Sequence, residues 1–121
     1  MNPKQEYKKL INSFKYAIEG LVSSFKTERN MKIHVLAMVI VLALAIYLKL
    51  NLVEWCFITI AISLVIGAEL FNTAIETIVD MISPDKNSKA KLAKDISAAA
   101  VLALSIGAAI IGMIIFIPKI I

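Results

Sequence analysis

Glu69-Leu-Phe-Asn-Thr-Ala-Ile-Glu-Thr-Ile-Val-Asp80 decides how this chain is read, because it plants four polar side chains in an otherwise apolar segment. Glu69, Asn72, Glu76 and Asp80 follow one another at steps of three, four and four residues. At about 100° per helical residue these steps keep all four within an arc of about 80°, so they form one polar stripe on one helix face. Carboxylates inside a membrane-length helix are costly unless paired, hydrated or metal-bound, which makes the stripe a candidate functional site.

Outward from the stripe the chain is strongly apolar. Hydrophobic residues make up 60% of it and mean hydropathy is +0.82, which excludes an ordinary soluble domain. Three blocks, Ile33 to Leu50, Leu52 to Ile82 and Ala98 to Ile117, approach or exceed the roughly 20 residues a helix needs to cross a bilayer. The expectation is an all-α membrane protein of one domain, 1–121: an amphipathic surface helix (1–29) and transmembrane helices over 33–50, 52–82 and 95–117. Lys32 and Lys49 flank the short first span and can snorkel to the two interfaces. Tyr47 and Trp55 would form an aromatic belt near the same turn.

Positive charge sets the orientation. Lys4, Lys8, Lys9, Lys15, Lys26, Arg29 and Lys32 precede the first span, and Lys86, Lys89, Lys91 and Lys94 lie between the second and third. Short cytoplasmic segments retain Lys and Arg, so the N-terminus and loop 83–94 are expected in the cytoplasm and the C-terminus outside. The net charge of +4 then gathers on one face, where it suits anionic headgroups or a polyphosphate; no nucleic-acid partner is expected. The first 30 residues are too charged for a cleavable signal peptide. Leu10, Phe14, Ile18, Leu21 and Phe25 instead recur at steps of three and four, as in an interfacial helix, whose role is either an inert anchor or part of the site. Cys56, the only cysteine, forms no intrachain disulfide and reads as an apolar packing residue. Ala99/Ala103/Gly107 and Ala108/Gly112 allow close helix approach. Three spans are few to shield a stripe of acids, so burial is expected to need partner subunits in a homo-oligomer.

Other polar residues near the cytoplasmic side each have a bland reading: Glu28 a solvated charge, Lys94 a positive-inside marker, Asp95 an N-cap. Together with the stripe they become oxygen ligands plus a cation at a membrane surface, a set suited to magnesium and phosphate. Mg²⁺ takes one or two carboxylates plus substrate phosphates and water, which Glu28 and Glu76 can supply. Phosphoryl transfer also needs positive charge near the moving group and a residue to take the proton of the attacking hydroxyl. Lys94 and a deeper carboxylate fit those roles. Glu69 is the deepest of the stripe, about 16 Å from Asp80 at 1.5 Å per residue, where a lipid alcohol would present its headgroup. No GxxxxGK[ST] loop exists, and the chain has only Gly20, Gly67, Gly107 and Gly112, so any ATP site is built differently. The loop Ser83-Pro-Asp-Lys-Asn-Ser-Lys89, with Asp85, Lys86 and Asn87, is the candidate nucleotide holder, although alone it reads as a polar turn.

The segment Glu69 to Asp80 resembles the signature of the prokaryotic diacylglycerol kinase family of small integral-membrane lipid kinases. Ala93-Lys-Asp95 and Thr27-Glu-Arg-Asn30 also sit where that family has its other polar motifs. The resemblance implies a homotrimeric helical bundle with active sites shared between subunits, and Mg²⁺- and ATP-dependent phosphorylation of a lipid hydroxyl. It implies Glu69 as base, Glu28 and Glu76 as metal ligands, Lys94 and Asp95 as nucleotide contacts, and Lys9 and Tyr16 as contacts to nucleotide or lipid; Glu28, Glu76 and the loop residues Asp85, Lys86 and Asn87 are expected to join the nucleotide site. Asn72 and Asp80 become supporting polar residues, and Glu69 and Ala98 contact the lipid. Glu28-Arg-Asn-Met-Lys-Ile-His34, Ser83-Pro-Asp85 and Leu92-Ala-Lys-Asp95 resemble the Gram-positive branch, similar to undecaprenol kinases; this favours undecaprenol as substrate, with diacylglycerol as the alternative. His34 belongs to that branch pattern and reads equally as an interfacial residue. Met31 and Asn87-Ser88-Lys89 depart from the family pattern, the latter where an adenine contact would fall.

A small channel or proton-coupled transporter is the rival reading of the stripe. It would place ionisable residues across the bilayer, whereas the outer half of every span lacks them apart from Glu54 and Lys49 at the far surface. A noncatalytic scaffold would have no use for intramembrane Glu69 and Glu76.

Overall fold

The computed structural model describes residues 1–121 as four helices: α1 (Pro3–Thr27), α2 (Arg29–Tyr47), α3 (Leu52–Ile82) and α4 (Ser88–Ile120). The last three are long and apolar enough to cross a membrane, matching the expected surface helix and three spans. α1 begins with a capping box. Asn2 Oδ1 accepts from the Gln5 amide at 2.9 Å, and the Gln5 side chain accepts from the Asn2 amide at 3.1 Å. Only Ser24 of this helix is buried, so α1 lies on the bundle rather than within it.

Glu28 makes the break between α1 and α2. Its backbone is extended (φ −104°, ψ 119°), and it serves as C-cap of one helix and N-cap of the next. The first membrane helix therefore starts four residues before Ile33, because propagation from this cap adds one hydrogen bond per residue whether or not the side chain is apolar. It also ends earlier than expected, at Tyr47. Lys49 adopts a left-handed conformation (φ 54°), and the Leu50 amide donates to the Ala45 carbonyl at 3.2 Å in a Schellman-type reversal. Leu50 and Ala45 then join Ile58, Ile115 and Phe116 in a buried cluster at this end, with Trp55 packed against it. Asn51 and Glu54 cap α3 reciprocally at 2.9 and 3.0 Å.

α4 starts seven residues before the expected 95 and so shortens the predicted loop 83–94 to 83–87. Asn87 is its N-cap, accepting from the amides of Lys89 (2.8 Å) and Ala90 (3.3 Å). Asp95 is thus no cap; it lies well inside the helix, where its carboxylate accepts from Lys91 at 2.6 Å. The helix also runs past Ile117 through Pro118. Lys119 pairs with Glu54 at 3.1 Å and ties the last turn of α4 to the first turn of α3.

At 1.5 Å per residue α3 and α4 are about 46 and 50 Å long, against a hydrocarbon core of about 30 Å. Their Asp80 and Lys94 ends therefore project beyond it. α3 packs chiefly on α4 and less on α2, while α2 and α4 diverge. The opening between them is an apolar cleft of about 480 Å³ lined by α2, α3 and α4. Of the small residues of α4, Ala108, Ala109 and Gly112 line this cleft, and Gly107 has open space at its Cβ position. The side chains of α4 that are buried are Ser97, Val101, Ile115 and Phe116. Cys56 is exposed on α3 of the single chain.

Candidate active site

The polar stripe exists on α3, graded in burial along its length. Glu69 is 1% exposed and Asn72 5%, Glu76 is half-buried and Asp80 is exposed. A single chain therefore hides the deepest acid by itself. Within one chain α1 contacts α2 and α3, and Ser97 of α4 bonds to Asn72, while the outer acids of the stripe, Glu76 and Asp80, are left partly or fully open.

Asn72 organises the middle of the stripe. The Ser97 hydroxyl donates to Asn72 Oδ1 at 2.8 Å, and Asn72 Nδ2 donates to Glu76 Oε1 at 3.2 Å. Both polar ends of a buried amide are thus used, which holds Glu76 at one orientation. Ser97 was not among the residues singled out from the sequence; its signal was its position three residues after Lys94, on the same face of α4.

Glu69 stands apart from this chain of bonds. Neither carboxylate oxygen has a hydrogen-bond partner. The amide of Asn72 is close enough to influence it but meets hydrogen-bond geometry on Glu76. His34 Nε2 lies 3.6 Å from Glu69 Oε2, and Glu28 and Glu76 lie within electrostatic range. Three carboxylates from the α1–α2 junction and α3 thus converge, although no group of three His, Cys, Asp or Glu side chains has the spacing of a complete metal shell. Two carboxylates suffice for Mg²⁺ when substrate phosphates and water supply the remaining oxygens. Glu28, which caps α2 without a side-chain cap bond, and Glu76 fit that donor set.

Above this centre, Lys94 is ion-paired with Asp80 and within electrostatic range of Glu76. Asp80, Asp85, Lys86, Asn87 and Lys94 share a polar hollow of about 530 Å³. Asp95 lies nearby but is engaged by Lys91, and Ala98 is exposed on α4 beside Ser97. Lys9 and Tyr16 line a separate polar concavity on α1 with Gln5 and Asn12, and α1 does not pack on α4. The expected nucleotide contacts therefore fall in two places within one chain. Between Glu69 and Glu54, α3 carries no charged side chain, so no line of ionisable groups runs along it through the bilayer.

The sequence model of prokaryotic diacylglycerol kinase matches residues 15–116, from within α1 to near the end of α4. The chain belongs to the prokaryotic diacylglycerol kinase family. It is 37% identical over 116 residues to the undecaprenol kinase of Bacillus subtilis, covering 96% of this chain and 94% of that one. It is similarly 37% identical over 110 residues to a diacylglycerol kinase of Synechocystis, covering 90% of this chain and 63% of the relative. A diacylglycerol kinase of Haemophilus influenzae is 35% identical over 108 residues, with 88% and 92% covered. Every one of these relatives is by name a lipid kinase. The matched region contains the whole converging set, Glu28, His34, Glu69, Asn72, Glu76 and Lys94.

Proposed function

We propose that this family member transfers the γ-phosphoryl group of ATP to the hydroxyl of undecaprenol, giving undecaprenyl phosphate, the carrier lipid of cell-wall synthesis. The observation that carries the reading is Glu69: a carboxylate 1% exposed, with both oxygens unpartnered, next to a His34 that lines an apolar cleft. Such a group suits a base waiting for the hydroxyl of an apolar substrate. Glu69 lies about 26 Å along α3 from Leu52 at 1.5 Å per residue, close to the thickness of the hydrocarbon core, so with Leu52 at one boundary Glu69 lies near the other. A lipid alcohol presents its headgroup there.

Glu69 takes the hydroxyl proton as the lipid oxygen attacks the γ-phosphorus and the bond to the bridging oxygen of ADP breaks. Glu28 and Glu76 would hold Mg²⁺, which neutralises phosphate charge when bound. Asn72, held by Ser97, fixes Glu76. Lys94 supplies positive charge to the polyphosphate, exchanging its Asp80 contact for it, and Asp95, Asp85, Lys86 and Asn87 contact the nucleotide. Lys9 and Tyr16 on α1 complete the nucleotide site across subunits of a homotrimer, a role that their separation from the loop in one chain supports. The N-terminus and the 83–87 loop lie in the cytoplasm, the C-terminus outside, as the lysine distribution favours.

Undecaprenol is preferred over diacylglycerol on the similarity to the Bacillus subtilis enzyme across nearly the full length of both chains. The deciding experiment presents each lipid separately in mixed micelles with labelled Mg·ATP. Label transfer mainly to undecaprenol is expected; transfer mainly to diacylglycerol would reassign the substrate, and transfer to neither by folded protein would overturn the kinase reading.

A further inference from the structure

An ionised carboxylate offers about four acceptor positions, and Glu69 fills none of them within the chain. A buried charge so placed needs a compensating neighbour. The titratable groups within electrostatic range of it are Glu28 from the α1–α2 junction, Glu76 from its own helix and His34 from α2. From α4, the Ser97 hydroxyl is spent on Asn72 and Lys94 is engaged by Asp80. His34 is therefore the one basic group in electrostatic range. Its Nε2 lies 3.6 Å from Oε2, just beyond a hydrogen bond, so a small side-chain rotation closes the pair. The imidazole is 20% exposed and lines the apolar cleft, which places it between the buried acid and the outside.

We propose that His34 is a positioning residue for Glu69, which orients the carboxylate toward the lipid hydroxyl, accepts the proton that Glu69 removes, and clears it between turnovers. The proposal rests on the reading of Glu69 as base. The lipid O–H bond breaks as its oxygen bonds to phosphorus, and the proton passes to the Glu69 carboxylate. Glu69 then yields it to Nε2 of the neutral imidazole, and the resulting imidazolium releases the Nδ1 proton to water. Release of the Nδ1 proton leaves the Nε2–H tautomer. Exchange with water, which deprotonates Nε2 and reprotonates Nδ1, restores the accepting Nε2, so both partners return to their starting states without any other reactant. The two ring nitrogens make this possible for His and for no other side chain near Glu69.

The test compares His34→Gln, His34→Ala and Glu69→Gln in purified protein, with steady-state rates measured against Mg·ATP and lipid alcohol over a range of pH. Both His34 variants are expected to lower kcat by about a hundredfold, the lower end of general acid–base contributions. KM for Mg·ATP should stay within about twofold, because a proton-transfer partner acts on the chemical step. The kcat–pH profile should change shape, because a proton acceptor on the exit path from Glu69 has been removed. Added imidazole should restore part of the His34→Ala rate and none of the His34→Gln rate, whose side chain fills the space. If Glu69→Gln is inactive but His34→Gln keeps normal kcat and pH dependence, the role of His34 is overturned and the base stands. A loss of kcat with unchanged pH profile and no imidazole rescue means a packing role and also overturns the proposal. If Glu69→Gln stays active, the base reading fails and the role of His34 with it. Should His34→Ala not fold, the His34→Gln profile alone decides.

Discussion

Ser97, Asn72 and Glu76 form a relay of orientation in which each bond depends on the one before. Removing the Ser97 hydroxyl leaves the Asn72 carbonyl buried and unpaired, at a cost of about 1–3 kcal/mol. Ser97→Ala is therefore expected to lower thermal stability and, because Asn72 can then turn away from Glu76, to raise KM for Mg·ATP; a thermal melt and a Mg·ATP titration of rate check both. Glu28 makes the opposite prediction. Its side chain contributes no cap bond to α2, so Glu28→Gln should leave the melting temperature near its native value while lowering kcat/KM for Mg·ATP by about tenfold or more, roughly 1.4 kcal/mol of lost transition-state interaction. A variant that melts early with unaltered kinetics would mean that Glu28 is structural.

At the scale of elements, helix ends place the chemistry. The Glu28 break delivers a carboxylate to the start of α2, and the Asn87 cap starts α4 early enough to bring Lys94 beside Asp80. The stripe itself was legible from period alone, because side chains at three- and four-residue steps share a face wherever the helix lies. The start of α4 was not. Lys89, Lys91 and Lys94 break the apolar pattern without breaking the helix, and a reading tied to hydropathy stops where the apolar run stops. Lys49 marks the other turn, where a non-glycine residue sits in left-handed conformation. That conformation costs an L-residue about 1–2 kcal/mol, so Lys49→Gly is expected to stabilise the fold by about 1 kcal/mol without changing kinase rates, as chemical denaturation and activity assays would report.

For the whole molecule, the single chain buries Glu69 and leaves broad apolar faces, such as Ile33, Leu36, Val39 and Ile40 on α2, for lipid or further copies. Assembly is thus not required to hide the acid, but Lys9 and Tyr16 stand away from the loop that they are proposed to join. The proposed orientation predicts that Asn87→Cys in a Cys56→Ser background reacts with an impermeant thiol reagent from the cytoplasmic side alone, and Ile121→Cys from the outside alone. The reverse labelling pattern would invert the topology.

Length and composition by themselves determined that this protein has three apolar helices, because the bilayer demands about 20 apolar residues per crossing, and the three- and four-residue recurrence of apolar side chains determined the amphipathic helix before them. Local period determined that Glu69, Asn72, Glu76 and Asp80 share a face. The tertiary structure alone decided that Ser97 holds Asn72 across 25 residues of sequence, that His34 meets Glu69, and that α2 and α4 part around an apolar cleft. These outcomes depend on the rotation and crossing of one helix against another. Side-chain packing sets both, and no periodicity within a single helix encodes them.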